Sequence, residues 1–479
     1  MKSKARKNYI IFISLLAASA TAISLSGCGS QEQSSVILSV ASSSVSESTV
    51  DESAETQATT VSNKNHLTES DITVNETIEN SEDGGHAITA DGESKDYINT
   101  LVTKTGEADG DEADFYGDNA AIFATNGGTL NLSDMVVKTN GTHANGVFSY
   151  GEGTTVNISD SYINTTGNCS GGLMTTGGGT MKANNLTIET TGNSSAAIRS
   201  DRGGGTVNVS GGYYSTSGKG SPVIYSTADI SVSDAEMVSA ASQGVVVEGK
   251  NSVTLNNVNL TADNNTKNSD KSSYYQAVMI YQSMSGDASQ GLSNFTMNGG
   301  SLVNKNGDVF FVNNTATDIN LNKASITNES NGVFLRAAAA GWGTEGSNGG
   351  QVNLNAENQI INGDMLVDNI STLNLYLRSN SSFTGAINSD SAEGNVYVEI
   401  ESGSTWTLTD DSYISSLTCD ASAIKLNGHK LYVDGKEYTE GSSSSGAAIE
   451  ITVSSSSNGG NGAPPDGNKP DGAPPAKPE

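Results

Sequence analysis

The sequence predicts an all-β chain organised as a single-stranded parallel β-helix, a solenoid, between two segments that lack a core of their own. Three observations lead there. A pattern of apolar, polar, apolar and two turn-forming residues starts at Leu130 and returns after 26, 25, 26, 23 and 23 residues. Two further short strand signals follow each copy at nearly constant offsets. Nothing of helical period lies between them, and a fixed period in this range marks a repeat architecture in which each unit buries its apolar face on the next.

The chain opens with Lys2, Lys4, Arg6 and Lys7, then the apolar run from Ile10 to Ala18, and reaches Leu25-Ser26-Gly27-Cys28. A basic start, a short apolar stretch and small residues before a cleavage point make residues 1–27 a secretory signal peptide. The apolar run is too short, and too broken by Ser and Thr, for a membrane-spanning helix. Residues 28–83 are dominated by Ser, Thr, Val, Glu, Gln and Asn without a period of 2 or 3.6. Such a stretch cannot bury enough apolar surface to offset its chain entropy, so a disordered tether is expected.

Residues 84–440 hold the repeat. Leu130-Asn131-Leu132-Ser133-Asp134 recurs as Val156-Asn157-Ile158-Ser159-Asp160, as the degenerate Met181-Lys182-Ala183-Asn184-Asn185, and at Val207, Ile230 and Val253. Later copies start at Phe295, Ile319, Val352 and Leu373, with looser ones at Val396 and Ile424. Alternation with period 2 over so few residues means a short strand with one buried face. The Asp, Asn or Gly that closes each copy marks a corner where a left-handed residue is tolerated. Second strands are expected at Met135-Val136-Val137 and Tyr162-Ile163, third strands at Val147-Phe148, Leu173-Met174 and Ala197-Ile198. The Asn of Asn131-Leu132-Ser133 and its equivalents is read as one rung of a side-chain ladder, in preference to a glycosylation acceptor. Residues 441–479 are Ser-rich, then Gly/Pro-rich. Six of the seven prolines fall in the last 16 residues, and a disordered tail is expected.

Two resemblances follow from these residues. Leu25-Ser26-Gly27-Cys28 resembles the bacterial lipobox, which implies cleavage before Cys28, lipidation of its sulfur, and attachment of the body to a membrane without spanning it. The repeat resembles secreted right-handed parallel β-helix proteins of the pectate-lyase-like superfamily, especially adhesin-type surface members. That implies a right-handed coil and a face suited to polysaccharide.

Candidate chemistry is sparse. Once the leader is removed, 20 cationic residues face 53 acids, a formal charge of −33. This disfavours nucleic acid and other polyanions as partners. A lyase of the resembled type needs a base beside a uronate. Arg199-Ser200-Asp201-Arg202 is the candidate, and an Arg–Asp pair holding a tight corner is the competing reading. A hydrolase needs two carboxylates across the scissile bond; Asp410-Asp411 is an adjacent pair late in the coils, but it reads as a turn. No His-Glu-x-x-His, Gly-x-Ser-x-Gly or Cys-x-x-Cys occurs. The loop bearing Asp109, Asp111, Asp114 and Asp118 offers oxygen ligands around a glycine that suit Ca²⁺, without the frame of an EF-hand. No other cofactor is indicated.

Two insertions interrupt the period. One carries Tyr274 and Tyr275, the other Trp342, and loops on a rigid solenoid are where recognition is usually placed. Trp342 has an alternative role, folding back to cover the rod. Cys169 and Cys419 lie in distant coils, beyond bridging distance, and are expected as two unpaired thiols. The expectation is a lipid-anchored extracellular surface protein on the outer face of the cell membrane. Its β-helix would work as an adhesin or glycan-binding module contacting an extracellular glycan or host surface. The alternative is a polysaccharide lyase or glycoside hydrolase.

Overall fold

The computed structural model describes residues 66–454, apart from 268, 284 and 391–393. It is nearly all β, 49% strand against 2% helix, and the fold is the parallel β-helix expected from the repeat. One coil runs Thr129–Ser133, Val136–Thr139, Val147–Tyr150; the next runs Thr155–Ser159, Tyr162–Thr165, Leu173–Thr176. These are the first, second and third strands of a coil. Each pairs in parallel with its counterpart one coil on.

The repeat stacks in register. Leu130 pairs with Val156, Val156 with Met181, Met181 with Val207, and the same column continues through Ile230, Val253, Phe295 and Ile319 to Leu354, Leu375 and Val398; the copies expected to start at Val352, Leu373 and Val396 begin two residues early, at the inward position that faces Thr317. All are buried, so the apolar residues of each copy form one continuous core along the solenoid. Ile424 departs from the expected column: it pairs with Trp406 in a second strand, and the first strand of its coil is Ser416–Cys419, where Leu417 pairs with Val398. The pattern around Ile424 imitates a copy because second strands bury alternate residues too.

Two kinds of corner shape the coil. After the first strand the chain turns through one left-handed residue, with φ of 51° at Asp134, 49° at Asp160 and 50° at Asn185. Asn185 Nδ2 donates to Asp160 Oδ1 at 2.8 Å, so the corner amides form rungs between coils. After the second strand comes a glycine ladder that sequence reading missed. A Cβ on Gly141, Gly167, Gly192 or Gly218 would lie 1.9, 2.0, 1.8 or 1.8 Å from the carbonyl oxygen of the glycine one coil earlier. Only glycine lets the coils close to strand spacing there. Three residues on, the hydroxyls of Ser170, Ser195 and Ser221 donate to those same carbonyls at 2.8, 3.0 and 2.8 Å. The motif Thr-x-Gly-x-x-Ser is thus a corner device.

The ordered solenoid is longer at both ends than residues 84–440. Glu76–Asn80 pairs with Thr100–Lys104 as a second strand. Lys104, fully buried at this end, donates to Asn80 Oδ1 at 2.9 Å and to the carbonyl of Gly84 at 3.1 Å, and burial lowers its pKa. At the far end Ser444–Ser445 pairs antiparallel with Ser416–Cys419. Ile449 and Asn374 then exchange two amide hydrogen bonds. Both segments have few apolar residues and are held mainly by backbone and side-chain amides, which hydrophobic periodicity cannot register.

Cys419 is a free, buried thiol, whereas Cys169 is disulfide-bonded, so the expectation of two unpaired thiols fails at Cys169. The distance argument had excluded only the Cys169–Cys419 pairing, which is indeed not formed. Cys28, most of the tether and the Pro-rich tail lie outside the described residues.

Candidate functional site

The third strands build an eleven-stranded sheet from Ile88–Asp91 to Asp364–Val367. Its inward residues join the core. Its outward residues are buried as well: Phe148, Met174, Arg199, Tyr225, Val246 and Met279 succeed one another in register, and all but the half-buried Tyr225 are sealed from solvent. They are covered by insertions. The segment 105–121 carries the short helix Asp111–Phe115, and the carbonyl of Phe115 accepts from Thr176 Oγ1 at 2.7 Å. The loops after Tyr281 and Ala337 fold over the same face.

At the centre of this covered face lie the sequence candidates Arg199, Asp201 and Arg202. Arg199 Nη2 reaches Asp201 Oδ2 at 2.8 Å and Asp114 Oδ1 at 3.2 Å. Arg202 reaches Asp287 Oδ1 at 2.8 Å and Asp111 Oδ2 at 3.0 Å, and its guanidinium carbon stacks 3.5 Å from the Phe115 ring centroid. The two arginines therefore pin one loop from earlier coils and one from later coils onto the middle of the sheet. The local Arg–Asp corner is present, joined by three long-range partners, Asp111, Asp114 and Asp287.

Nearby, Glu248 accepts hydrogen bonds from Tyr225 and, at 3.0 Å, from Tyr281. Burial pushes Asp201 up to about 7 despite Arg199, and raises Asp114 and Glu248. A carboxyl raised to about 7 beside arginine, as at Asp201, is raw material for acid–base chemistry. Here, however, the Asp201 side chain is 0% exposed, with one oxygen on Arg199 and the other on the Arg202 backbone N–H at 3.0 Å. All four arginines of residues 28–479 are ion-paired, Arg336 with Asp308 and Arg378 with Glu399.

The loop aromatics come to the same face but turn inward. Trp342 is 3% exposed and packs edge-on against Tyr281, with ring centroids 5.2 Å apart, so it covers the rod. Tyr274 packs on Phe311, and the Arg336 guanidinium lies over it. Tyr275, half-buried, has the Lys267 ammonium over its ring, with no contact to the other two aromatics. A cavity of about 70 Å³ remains between Arg199, Tyr225, Gln243, Met279, Tyr281 and Trp342. That is room for a few waters.

The four acidic loop residues do not converge. Asp114 and Asp111 are committed to the two arginines, Asp109 caps the Gly110 N–H at 2.8 Å, and Asp118 lies beside Gly84. Among the described residues, the group that does place three ligand atoms close together is Asp410, Asp411 and His429. There the Asp411 N–H donates to Asp410 and the Lys430 N–H to Asp411, the hydrogen bonding of a turn. His143, buried behind the acidic loop, is driven down to about 4 by desolvation and the Arg199 charge.

The first strands present the opposite surface. Their outward residues are polar and reach solvent: Asp96, Asn131, Asn157, Lys182, Asn208 and Ser231 follow in register, with Ser133, Ser159, Asn184, Ser210 and Ser233 alongside. Together they line an open groove of about 870 Å³ that begins at Ile98, itself 61% exposed. Asn131 donates to Asp96 at 2.7 Å and Asn157 to Asn131 at 2.8 Å, which is the expected ladder.

Sequence reasoning missed Asp287, Glu248, Tyr225 and Tyr281. The first lies 85 residues from its partner, and no local pattern links them. The tyrosines carried one usable signal, large aromatics one step past a predicted inward residue of a third strand. No protein-family model, curated protein or solved structure matches this chain.

Proposed function

We propose that this protein is a lipid-anchored extracellular module whose β-helix binds glycan along the groove of the first sheet, in the manner of the adhesin-type β-helix proteins its repeat resembles. The observation that carries this reading is the contrast in availability. The Arg199 group is sealed and spent on ion pairs, while the first-sheet groove offers rows of amides and hydroxyls at coil spacing, roughly 4.8 Å, to an extended polar chain. Sugars are bound largely by such hydrogen bonds, and among the described residues only first-strand residues line the groove. The anchor is Cys28. Peptide mapping of the cell-derived protein decides whether the Cys28 sulfur carries a lipid.

The test is a glycan-array and polysaccharide-cleavage screen of the full-length chain. Retention of an oligosaccharide without change in its length supports binding. Release of shorter or unsaturated products would establish the alternative, a polysaccharide lyase or glycoside hydrolase. Four carboxylates around Arg199 and Arg202 are the observation that keeps this alternative in view. If it holds, the covering loops must open for polymer to enter.

A further inference from the structure

The two halves of the first-sheet groove differ in a way that selects a ligand. In the lower half the ladder is closed on itself: Asp96, Asn131 and Asn157 satisfy one another. The series then stops. Lys182, the next residue in register, makes no ion pair, and neither its ammonium nor the side chains of Asn208 and Ser231 above it hydrogen-bond any described residue. Lys182 is exposed, lies midway along the groove, and is the one cation among its described lining residues. Of the nearest acids, Asp96 is three strands away, roughly 14 Å, and holds Asn131; Asp229, in the neighbouring row, accepts the Ser252 hydroxyl at 2.7 Å.

We propose that Lys182 recognises an anionic substituent, of the carboxylate type found on uronic acids, carried by an otherwise neutral glycan chain lying along the groove. This rests on the glycan-binding reading of the same groove and adds the class of glycan. An ammonium flanked by free amide and hydroxyl groups is a carboxylate site; the neutral rungs on either side suit hydroxyls. The spacing of charge matters equally. The groove spans six strands, roughly 24 Å, with one cation in a chain of formal charge −29. A polymer with an acid on every sugar would be repelled along most of its length, whereas one with a single acid per groove length is not.

The experiment compares the full-length chain with Lys182→Gln and Lys182→Arg on an array holding neutral, sparsely acidic and fully acidic glycans. The wild-type chain should favour sparsely acidic members. Lys182→Gln should weaken those roughly tenfold, the worth of one charge-assisted hydrogen bond, and leave neutral ligands unchanged. Lys182→Arg should retain them, and added salt should erode only the acid-dependent part. Equal binding of sparsely acidic glycans by wild type and Lys182→Gln, or a bound set that is neutral only, overturns the assignment of Lys182 and leaves glycan binding standing. Absence of any bound glycan overturns both.

Discussion

The first and third sheets are built on one backbone with the same rise and register, yet they meet the solvent in opposite ways. On the first sheet the outward positions along the groove, from Asp96 to Ser231, are Asp, Asn, Lys and Ser, and they stay open. On the third sheet the same outward positions hold Phe148, Met174, Arg199 and Val246, and they are sealed. The difference lies in the corners. Along the groove the turn after each first strand is short and closes on left-handed residues such as Asp134, Asp160 and Asn185, so these corners carry no loop to cover that face; only at the far end does the C-terminal segment reach it, at Asn374. The corners on either side of the third strands accept the segment 105–121 and the loops after Ala262, Tyr281 and Ala337, which supply Phe115, Asp287 and Trp342 as cover. In a solenoid the outward chemistry of a strand is therefore set by the length of the neighbouring corner.

Breaking the covered face should cost most. Arg199→Leu removes the shared partner of Asp114 and Asp201, both nearly inaccessible, and leaves two carboxylates buried beside an apolar side chain. A loss of about 3–5 kcal/mol is expected, read as a lower denaturation midpoint together with faster amide exchange in residues 105–121. Trp342→Ala comes next. It empties space against Tyr281 and should cost about 3 kcal/mol. Its unfolding curve should show exposure of the third-sheet face without loss of strand signal in circular dichroism.

The pH response sharpens the comparison further. Asp201 is raised to about 7 in the folded chain from an ordinary value near 4. The folded state holds its proton longer, so the contribution of Asp201 to stability is fully present below about 4 and is lost as pH rises through about 7. His143 acts in the other direction. Its folded value of about 4 lies below the ordinary 6.5, so its contribution is present above 6.5 and lost as pH falls towards 4. Asp201→Asn removes the first term alone. Melting of the wild type should fall, relative to Asp201→Asn, between pH 5 and 7.5. Parallel curves for the two proteins across that range would show that Asp201 titrates normally.

The open face should register least. Lys182→Gln is expected to change stability by no more than about 0.5 kcal/mol, because the side chain has no partner to lose. A larger drop would mean that the groove is structural.

Much of this was legible before any coordinates. The column from Leu130 to Ile319 could be written down from alternation and period, because every coil must bury the same positions to continue the stack; beyond it the expected starts at Val352, Leu373 and Val396 fall one inward position early. Arg199, Asp201 and Arg202 were legible as a paired corner, and Trp342 as a possible cover. Their meeting with Asp114 and Asp287 was not, since those contacts join residues 85 apart, through loops with no period of their own. The same limit explains the acidic loop. Four aspartates close in sequence suggest one calcium shell, but two of them found arginines several coils away.

Local chemistry thus decided the coil: which residues point inward, where the chain turns, and that Asn and Ser would form rungs. These depend on neighbours one period apart, which recur in the sequence and so can be read from it. Tertiary structure decided which face is closed and which remains free. That choice depends on where long insertions land after the stack is built, and on contacts made once only, for which a repeat carries no signal.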